Sequence, residues 1–288
     1  MQLDSIVMSK DRPAQLNLLL ESIDRNGGDV VRLRNTAVQY AASDYIYRKS
    51  YQKLEELWPD VLFVAESVNS FKNSLWSTAA TACQGEYLNF FTDDDILYRP
   101  ITFGMYDVDD LFRTFNLSCL SLRLGANTYI QDQHRNQRTV FPNRTEVTKD
   151  FYVWHWRHVA NGSNFSYPLS VDGHIFSRET ILPLLEGPSY FNPNSLECVW
   201  QQEWLNTLGP IMGCPTKSNI VNSPNNRVQE TCQNLAGVLH NYTAEELNLD
   251  FQRGLRLDLD RIFEGVDVVG AHQELELFYK TKLEASFE

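Results

Sequence analysis

This 288-residue sequence predicts a layered α/β fold built on a mostly parallel sheet, on three observations. Four short apolar runs alternate with three amphipathic helical stretches over the first hundred residues, the order of a parallel sheet with right-handed crossovers. The fourth run, Tyr87–Phe91, stops at Asp93-Asp94-Asp95, and open α/β sheets hold their ligands at the carboxyl ends of strands. The composition, 43% hydrophobic and 22% charged, is that of a globular chain able to bury a large core.

Leu3 to Met8 reads as the first strand. Asp11 or Arg12 before Pro13 is a helix start, and Leu16, Leu19, Leu20 and Ile23 give that helix one apolar face, ended by Asn26-Gly27-Gly28. Val30 to Tyr40 reads as a second strand. Tyr51, Leu54, Leu57 and Trp58 form a helix face before Pro59, and Val61 to Ala65 a third strand. Phe71, Leu75, Ala79 and Ala82 are spaced for a helix leading through Gly85 into the acid-tipped strand. A short helix (Val108, Leu111, Phe112, Phe115) and a strand (Leu117 to Leu124) follow, then a polar loop or irregular hairpin over 126–150. Tyr167 to Ser177 reads as a strand with Asp172-Gly173 at its centre, and a helix starts at Ser177 or Arg178. Asn192 to Glu197 opens another helix, Ile211 to Asn222 makes a last strand, and a polar loop runs on to Gln229. Thr243-Ala-Glu-Glu246 is a capping box. Leu247 to Ile262 carries an apolar face, and Ala271 to Leu283 is expected as a final helix.

The formal net charge of -12 excludes a duplex nucleic-acid binder, which needs a basic face. No apolar run reaches the length of a membrane span, and the chain enters its first strand with no charged-then-apolar leader, so no signal peptide is expected. Five scattered cysteines without CxxC spacing indicate neither zinc nor a disulfide framework. A reducing cytoplasm is the expected setting, with peripheral contact with a membrane left open.

Three adjacent carboxylates repel one another unless a cation or hydrogen bonds compensate. Oxygen ligands suit Mg²⁺ or Mn²⁺, ions that bridge one or two carboxylates to phosphates; the plainer alternative is a solvated acidic turn. Phe151 to Trp156 is either a packed edge strand or a platform for sugar rings. Asn194 and Glu197 have N-cap and N3 spacing, which gives Glu197 a capping role beside any catalytic one. No GxGxxG or GxxxxGK[ST] loop follows the first strand, which lowers the dinucleotide and P-loop options.

The strand order, Ser5–Pro13, the Asp93-Asp94-Asp95 triplet as a DxD motif, and Asp172-Gly173-His-Ile-Phe-Ser-Arg178 followed by Glu197 together resemble a GT-A glycosyltransferase, family-2-like, over roughly residues 1–230. The resemblance implies a Rossmann-like mixed sheet, with residues 1–100 as a nucleotide-sugar half, 101–230 as an acceptor half, and 231–288 as a helical extension packed on the same domain. It implies a metal-dependent hexosyltransferase that uses a nucleotide-diphosphate sugar, UDP-linked as first choice, in polysaccharide or glycoconjugate assembly. The acceptor is expected to be a glycan or a lipid-linked sugar. Asp95 is the first choice of metal ligand, with Asp93 on the ribose or the same ion and His272 completing the coordination; His240 and Asn222 stand behind it. Ser9, Asp11, Arg12, Glu66, Lys72, Asp93 and Asp94 are assigned to the nucleotide. Glu197 is the catalytic base, with Asp172 second, if the reaction inverts the anomeric centre. This sequence departs from the family in opening its first loop with Ser-Lys-Asp-Arg, and in carrying Glu197-Cys198 where paired acids are common. The rivals are a sugar nucleotidylyltransferase, which expects a Gly-rich first loop, and a non-catalytic carbohydrate-binding domain.

Overall fold

The computed structural model describes residues 2–67, 70–132, 136–187, 189–229 and 236–280. The first half runs β1 (Leu3–Lys10), α1 (Pro13–Asn26), β2 (Thr36–Ala41), α2 (Tyr45–Leu57), β3 (Leu62–Ala65), α3 (Phe71–Ser77), β4 (Tyr87–Thr92) and β5 (Asp95–Leu97). It continues through α4 (Val108–Phe115), β6 (Leu117–Ser121), β7 (Ile130–Asp132), β8 (Gln137–Arg138), β9 (Arg144–Thr148) and β10 (Phe151–His155). The remainder is β11 (His174–Ser177), α5 (Arg178–Glu186), α6 (Pro193–Val199), β12 (Ile211–Pro215), β13 (Ile220–Asn222), α7 (Ala244–Gln252) and α8 (Leu259–Phe263).

Nine strands form one mixed sheet in the order β3-β2-β1-β4-β11-β6-β12-β10-β9. β3, β2, β1 and β4 are parallel, as the alternating sequence predicts. β11 then enters antiparallel between β4 and β6, so the amino end of β11 meets the carboxyl end of β4 at one edge. Side chains along β1 alternate. Leu3 and Val7 join the layer of α1, α2, α4, α7 and α8, while Ile6 and Met8 join that of α3, α5 and α6. β4 does the same with Phe91 and Phe90, both fully buried, each ring adding roughly 1.5–3 kcal/mol by leaving water.

Pro13 starts α1 with Arg12 as the N-cap residue, and the Thr243/Glu246 capping box starts α7, both as the sequence indicates. Phe151 to Trp156 is packed, with Phe151, Trp154 and Trp156 buried and β10 covered on both sides by β9 and β12. The indole nitrogens of Trp154 and Trp156 donate to the carbonyls of Phe165 and Gly209, at 2.8 Å each. These rings belong to the core and offer no platform to a sugar.

Several expectations are corrected. Ile211–Asn222 forms two strands, and the second, β13, pairs with β5 instead of joining the large sheet. The segment 271–280 is extended, where a helix was expected from Ala271 to Leu283. Gln273 N–H donates to the Asn222 carbonyl at 2.9 Å and Asn222 N–H to the Ala271 carbonyl at 3.0 Å, so pairing across the chain replaces helical bonds. Residues 281–283 lie outside the described residues. Among the described residues the tail is therefore helical in α7 and α8 alone. The cap of α6 is Asn192, boxed with Ser195, not Asn194 with Glu197; Glu197 lies a turn further on and is free of the capping task.

Asp172-Gly173 precedes β11 and does not lie within it. Gly173 has φ +65°, and a Cβ there would sit 1.9 Å from Ile220 Cδ1. Its N–H donates to the Phe90 carbonyl at 2.7 Å, which locks Asp172 beside the end of β4. Gly173→Ala is expected to destabilise the protein by about 1–3 kcal/mol, read as a lower urea midpoint, because the backbone cannot leave the left-handed region without breaking that bond.

Candidate active site

The β4–β11 junction opens into a cleft of about 1140 Å³. One wall comes from the ends of β1 and β4. Ser9, Lys10, Arg12, Glu66, Asp93 and Asp94 line it. The Arg12 guanidinium is the centre of this wall. Its Nη1 lies 2.9 Å from both Asp93 Oδ1 and Asp94 Oδ2, with only 10% of the side chain exposed. Its Nε donates to Asn226 Oδ1 at 2.8 Å, and Nη2 donates to the Asn226 carbonyl. Asp93 Oδ2 accepts the Lys10 N–H at 3.0 Å. Burial works against the charge on Arg12, but Asp94 and Asp93 more than offset it and drive its pKa up. Burial pushes Asp93 up as well while Arg12 pulls it back; at this contact distance, with the arginine firmly charged, the pair is ionic.

Asp95 does not line the cleft. It is fully buried; Oδ2 accepts Thr92 N–H at 3.0 Å and Oδ1 accepts the Asn222 amide at 3.2 Å. Burial, then the charges of Asp172 and Asp94, push its pKa well above the carboxylate range. It closes the turn from β4 into β5, and the cleft-facing pair of the triplet is Asp93 and Asp94. Asp11 is likewise structural. With φ 54° it turns the chain, and its Oδ1 accepts Ser43 N–H at 2.8 Å. Lys72 points to the α5 end, where its Nζ lies 3.4 Å from the Gly187 carbonyl. Neither Asp11 nor Lys72 lines the cleft.

The opposite wall holds Asp172, Glu197, Arg123 and His272. Arg123 Nη1 donates to Asp172 Oδ2 at 2.8 Å and lies 2.7 Å from His272 Nε2. Asp172 Oδ1 accepts the Thr92 hydroxyl at 3.0 Å, so both Asp172 oxygens are engaged. Glu197 Oε1 accepts from Ser170 Oγ at 2.9 Å and Val171 N–H at 2.8 Å, and Oε2 faces the Tyr167 hydroxyl at 3.3 Å. Burial, then the Asp172 charge, push the Glu197 carboxyl up to about 7, the range of a general base. Crowding by protein and then the Arg123 charge lower His272 to about 4, although 42% of its side chain still meets the cleft. The ring is therefore neutral at pH 7. Nδ1 donates to Asn222 Oδ1 at 3.2 Å, and the Nε2 lone pair accepts from Arg123 Nη1.

Among the described residues no three His, Cys, Asp or Glu side chains enclose a metal ion. An Mg²⁺ or Mn²⁺ ion shared with a diphosphate needs only one or two protein ligands. Asp94 is a carboxylate of that kind, and His272 stands near it. They are tied through Asn222, whose amide donates to Asp94 Oδ1 at 2.9 Å. Of the triplet, Asp93 and Asp94 face the cleft and suit such an ion, and Asp95 does not; His272 does not suit it either, because its Nε2 is bonded to the cationic Arg123.

Sequence reasoning passed over Arg123 and Asn226. The signal for Arg123 was a cation inside the apolar run Leu117–Leu124, where charge is tolerated only with buried partners. Asn226 lies in the polar loop after Asn222 and had no signal of its own.

No protein-family model matches the sequence, and no curated protein matches it. Among solved structures, TarS from S. aureus superposes at TM-score 0.49 and 15% identity, over 76% of this chain and 36% of that one. TarS 1–349 in complex with UDP-GlcNAc gives 0.48 and 12%, over 84% and 62%. GalNAc-T7 with UDP, GalNAc and Mn²⁺ gives 0.49 and 10%, over 91% and 49%. The chain spans less than two thirds of the length of each of these proteins.

Proposed function

We propose that the protein is a GT-A-type glycosyltransferase that moves a sugar from a nucleoside-diphosphate sugar to a hydroxyl acceptor with inversion. The observation that carries the reading is the pairing, across one cleft, of a charged wall at the end of β4 with a half-buried carboxylate of pKa about 7. The nucleotide lies against Ser9, Arg12, Glu66, Asp93 and Asp94. Glu66 and Asp93 suit base and ribose hydroxyls, and Lys10 stands on the same wall to meet phosphate. The acceptor enters beside Glu197. As the acceptor oxygen attacks the anomeric carbon, its proton passes to a Glu197 oxygen. The carbon–oxygen bond to the diphosphate breaks, and the nucleoside diphosphate leaves with that electron pair. Asp172 and Arg123 position this wall: Asp172 fixes the guanidinium and its charge keeps Glu197 basic. Asp94 would hold a divalent ion, which when bound neutralises charge on the diphosphate. A role in polysaccharide or glycoconjugate assembly belongs to the same reading.

Thermal-shift titrations with UDP, GDP, CDP and dTDP, with and without Mn²⁺, test it. One nucleotide is expected to raise Tm by several degrees in the presence of the metal. Asp94→Asn is expected to remove the metal-dependent part of the shift. No stabilisation by any nucleotide would sink the proposal.

A further inference from the structure

The cleft holds two arginines whose bonding differs. In Arg12 all three nitrogens are taken, Nη1 by Asp93 and Asp94, and Nε and Nη2 by Asn226. In Arg123 only Nη1 is engaged. Its two hydrogens go to Asp172 Oδ2 at 2.8 Å and to His272 Nε2 at 2.7 Å. Nε is shut off from solvent without a partner, and Nη2 makes no bond among the described residues yet stays open to solvent. The Nε and Nη2 donors of a cation whose side chain is 2% exposed are therefore unspent. Buried polar groups rarely keep that state without a ligand or an ordered water.

The guanidinium is also held still. A closed ring of hydrogen bonds runs from Arg123 to Asp172, to the Thr92 hydroxyl at 3.0 Å, to the Asn222 amide at 3.1 Å, from Asn222 to His272 Nδ1 at 3.2 Å, and back to Arg123. Beside it, Leu122 N–H donates to the Gly173 carbonyl at 2.9 Å. The ring reaches both walls. The same Asn222 amide donates to Asp94 Oδ1, and Val171, next to Asp172, donates its N–H to Glu197 Oε1. Arg123 thus links the charged wall to the Glu197 wall, and it lines the cleft between them.

We infer that Arg123 is an anion-binding residue, its Nη2 donating to an oxyanion oxygen of the substrate between Asp94 and Glu197. The inference rests on the glycosyl-transfer reading of the same cleft, in which two groups of the donor offer such an oxygen: the phosphate next to the sugar, or a carboxylate on the sugar itself. Both match a guanidinium edge. A neutral hydroxyl matches it less well, because among the described residues Asp172 is the one carboxylate bonded to Arg123, whereas Arg12 bonds two. Placed on the phosphate, the guanidinium would stabilise the charge that gathers on the leaving group.

The test is isothermal titration of the full chain in EDTA with UMP and UDP, GMP and GDP, CMP and CDP, dTMP and dTDP, and separately with glucuronate and glucose. Where the second phosphate is the ligand, one diphosphate is expected to bind about 10-fold tighter than its monophosphate. Arg123→Gln then erases that difference and leaves monophosphate affinity unchanged. Where a sugar carboxylate is the ligand, glucuronate binds, glucose does not, and Arg123→Gln abolishes the binding. The double variant Arg123→Gln/Asp172→Asn, which removes the cation together with its counter-charge, is expected to give the same result if the single variant folds poorly. An arginine that merely held the wall together would lower mono- and diphosphate affinity alike, and that outcome overturns the inference. So does the absence of both preferences, or a preference that survives the loss of Arg123. If a nucleotide binds and neither preference appears, the transferase reading stands and the anion site falls. If glucuronate binds through Arg123 and no nucleotide binds, the anion site stands and the transferase reading falls; if nothing binds, both fall.

Discussion

Glu197→Gln is expected to lower kcat by about 10²–10⁴ without weakening nucleotide binding. The amide keeps the Oε1 contacts with Ser170 and Val171 and removes only the capacity to accept a proton. In the parent protein, kcat/KM is expected to rise with pH through about 7, as Glu197 loses its proton, and then level off. The variant lacks that inflection. Stability moves the opposite way. A carboxyl whose pKa is raised on folding binds its proton more tightly in the folded state, so it costs stability as pH rises from about 4.5 to about 7. The Gln variant has no such cost, so its Tm relative to the parent should increase over that window. A variant that is inactive but less stable at pH 8 would point to a structural role for Glu197.

Arg12→Met is expected to lower stability by about 3–5 kcal/mol, the usual cost of stripping one partner from a buried ion pair. Two carboxylates, Asp93 and Asp94, would then face each other with side chains only 4% and 10% exposed. The deficit should shrink as pH falls, because burial favours the protonated form of Asp93, and urea unfolding at pH 5 and pH 8 measures the difference. Adding Asp93→Asn and Asp94→Asn to the same variant should recover most of the stability and none of the nucleotide binding. Equal loss at both pH values would mean that packing of the arginine stem matters more than its charge.

The sheet and its acid-tipped edge were legible because their signals are local. A short apolar run that halts at a carboxylate can be read residue by residue, and so can Pro13 after Arg12. Which aspartate faces the cleft was not legible. Asp95 turns inward because it begins β5, whose partner β13 lies 125 residues away (Asp95 to Ile220). The same distance hid the fate of residues 271–280. Their apolar spacing suits a helix, and an unpaired strand edge at Asn222 claimed them instead. Glu197 was found for its position, yet the property that fits it for proton transfer comes from burial and from Asp172, neither of which leaves a mark on residues 193–199. Arg123 is the instructive omission, since a lone cation in an apolar run is legible once its cost is considered.

The insertion of β11 between β4 and β6 also bears on how the molecule is made. As the chain leaves the ribosome, β4 and β6 are complete long before residue 174 emerges, and they have no strand to join them. β6 keeps one bare side until Ile211–Pro215 has been synthesised. Synthesis from residue 121 to residue 215 must therefore pass with exposed backbone in the middle of the future sheet, an interval in which nascent-chain chaperones would have their strongest hold.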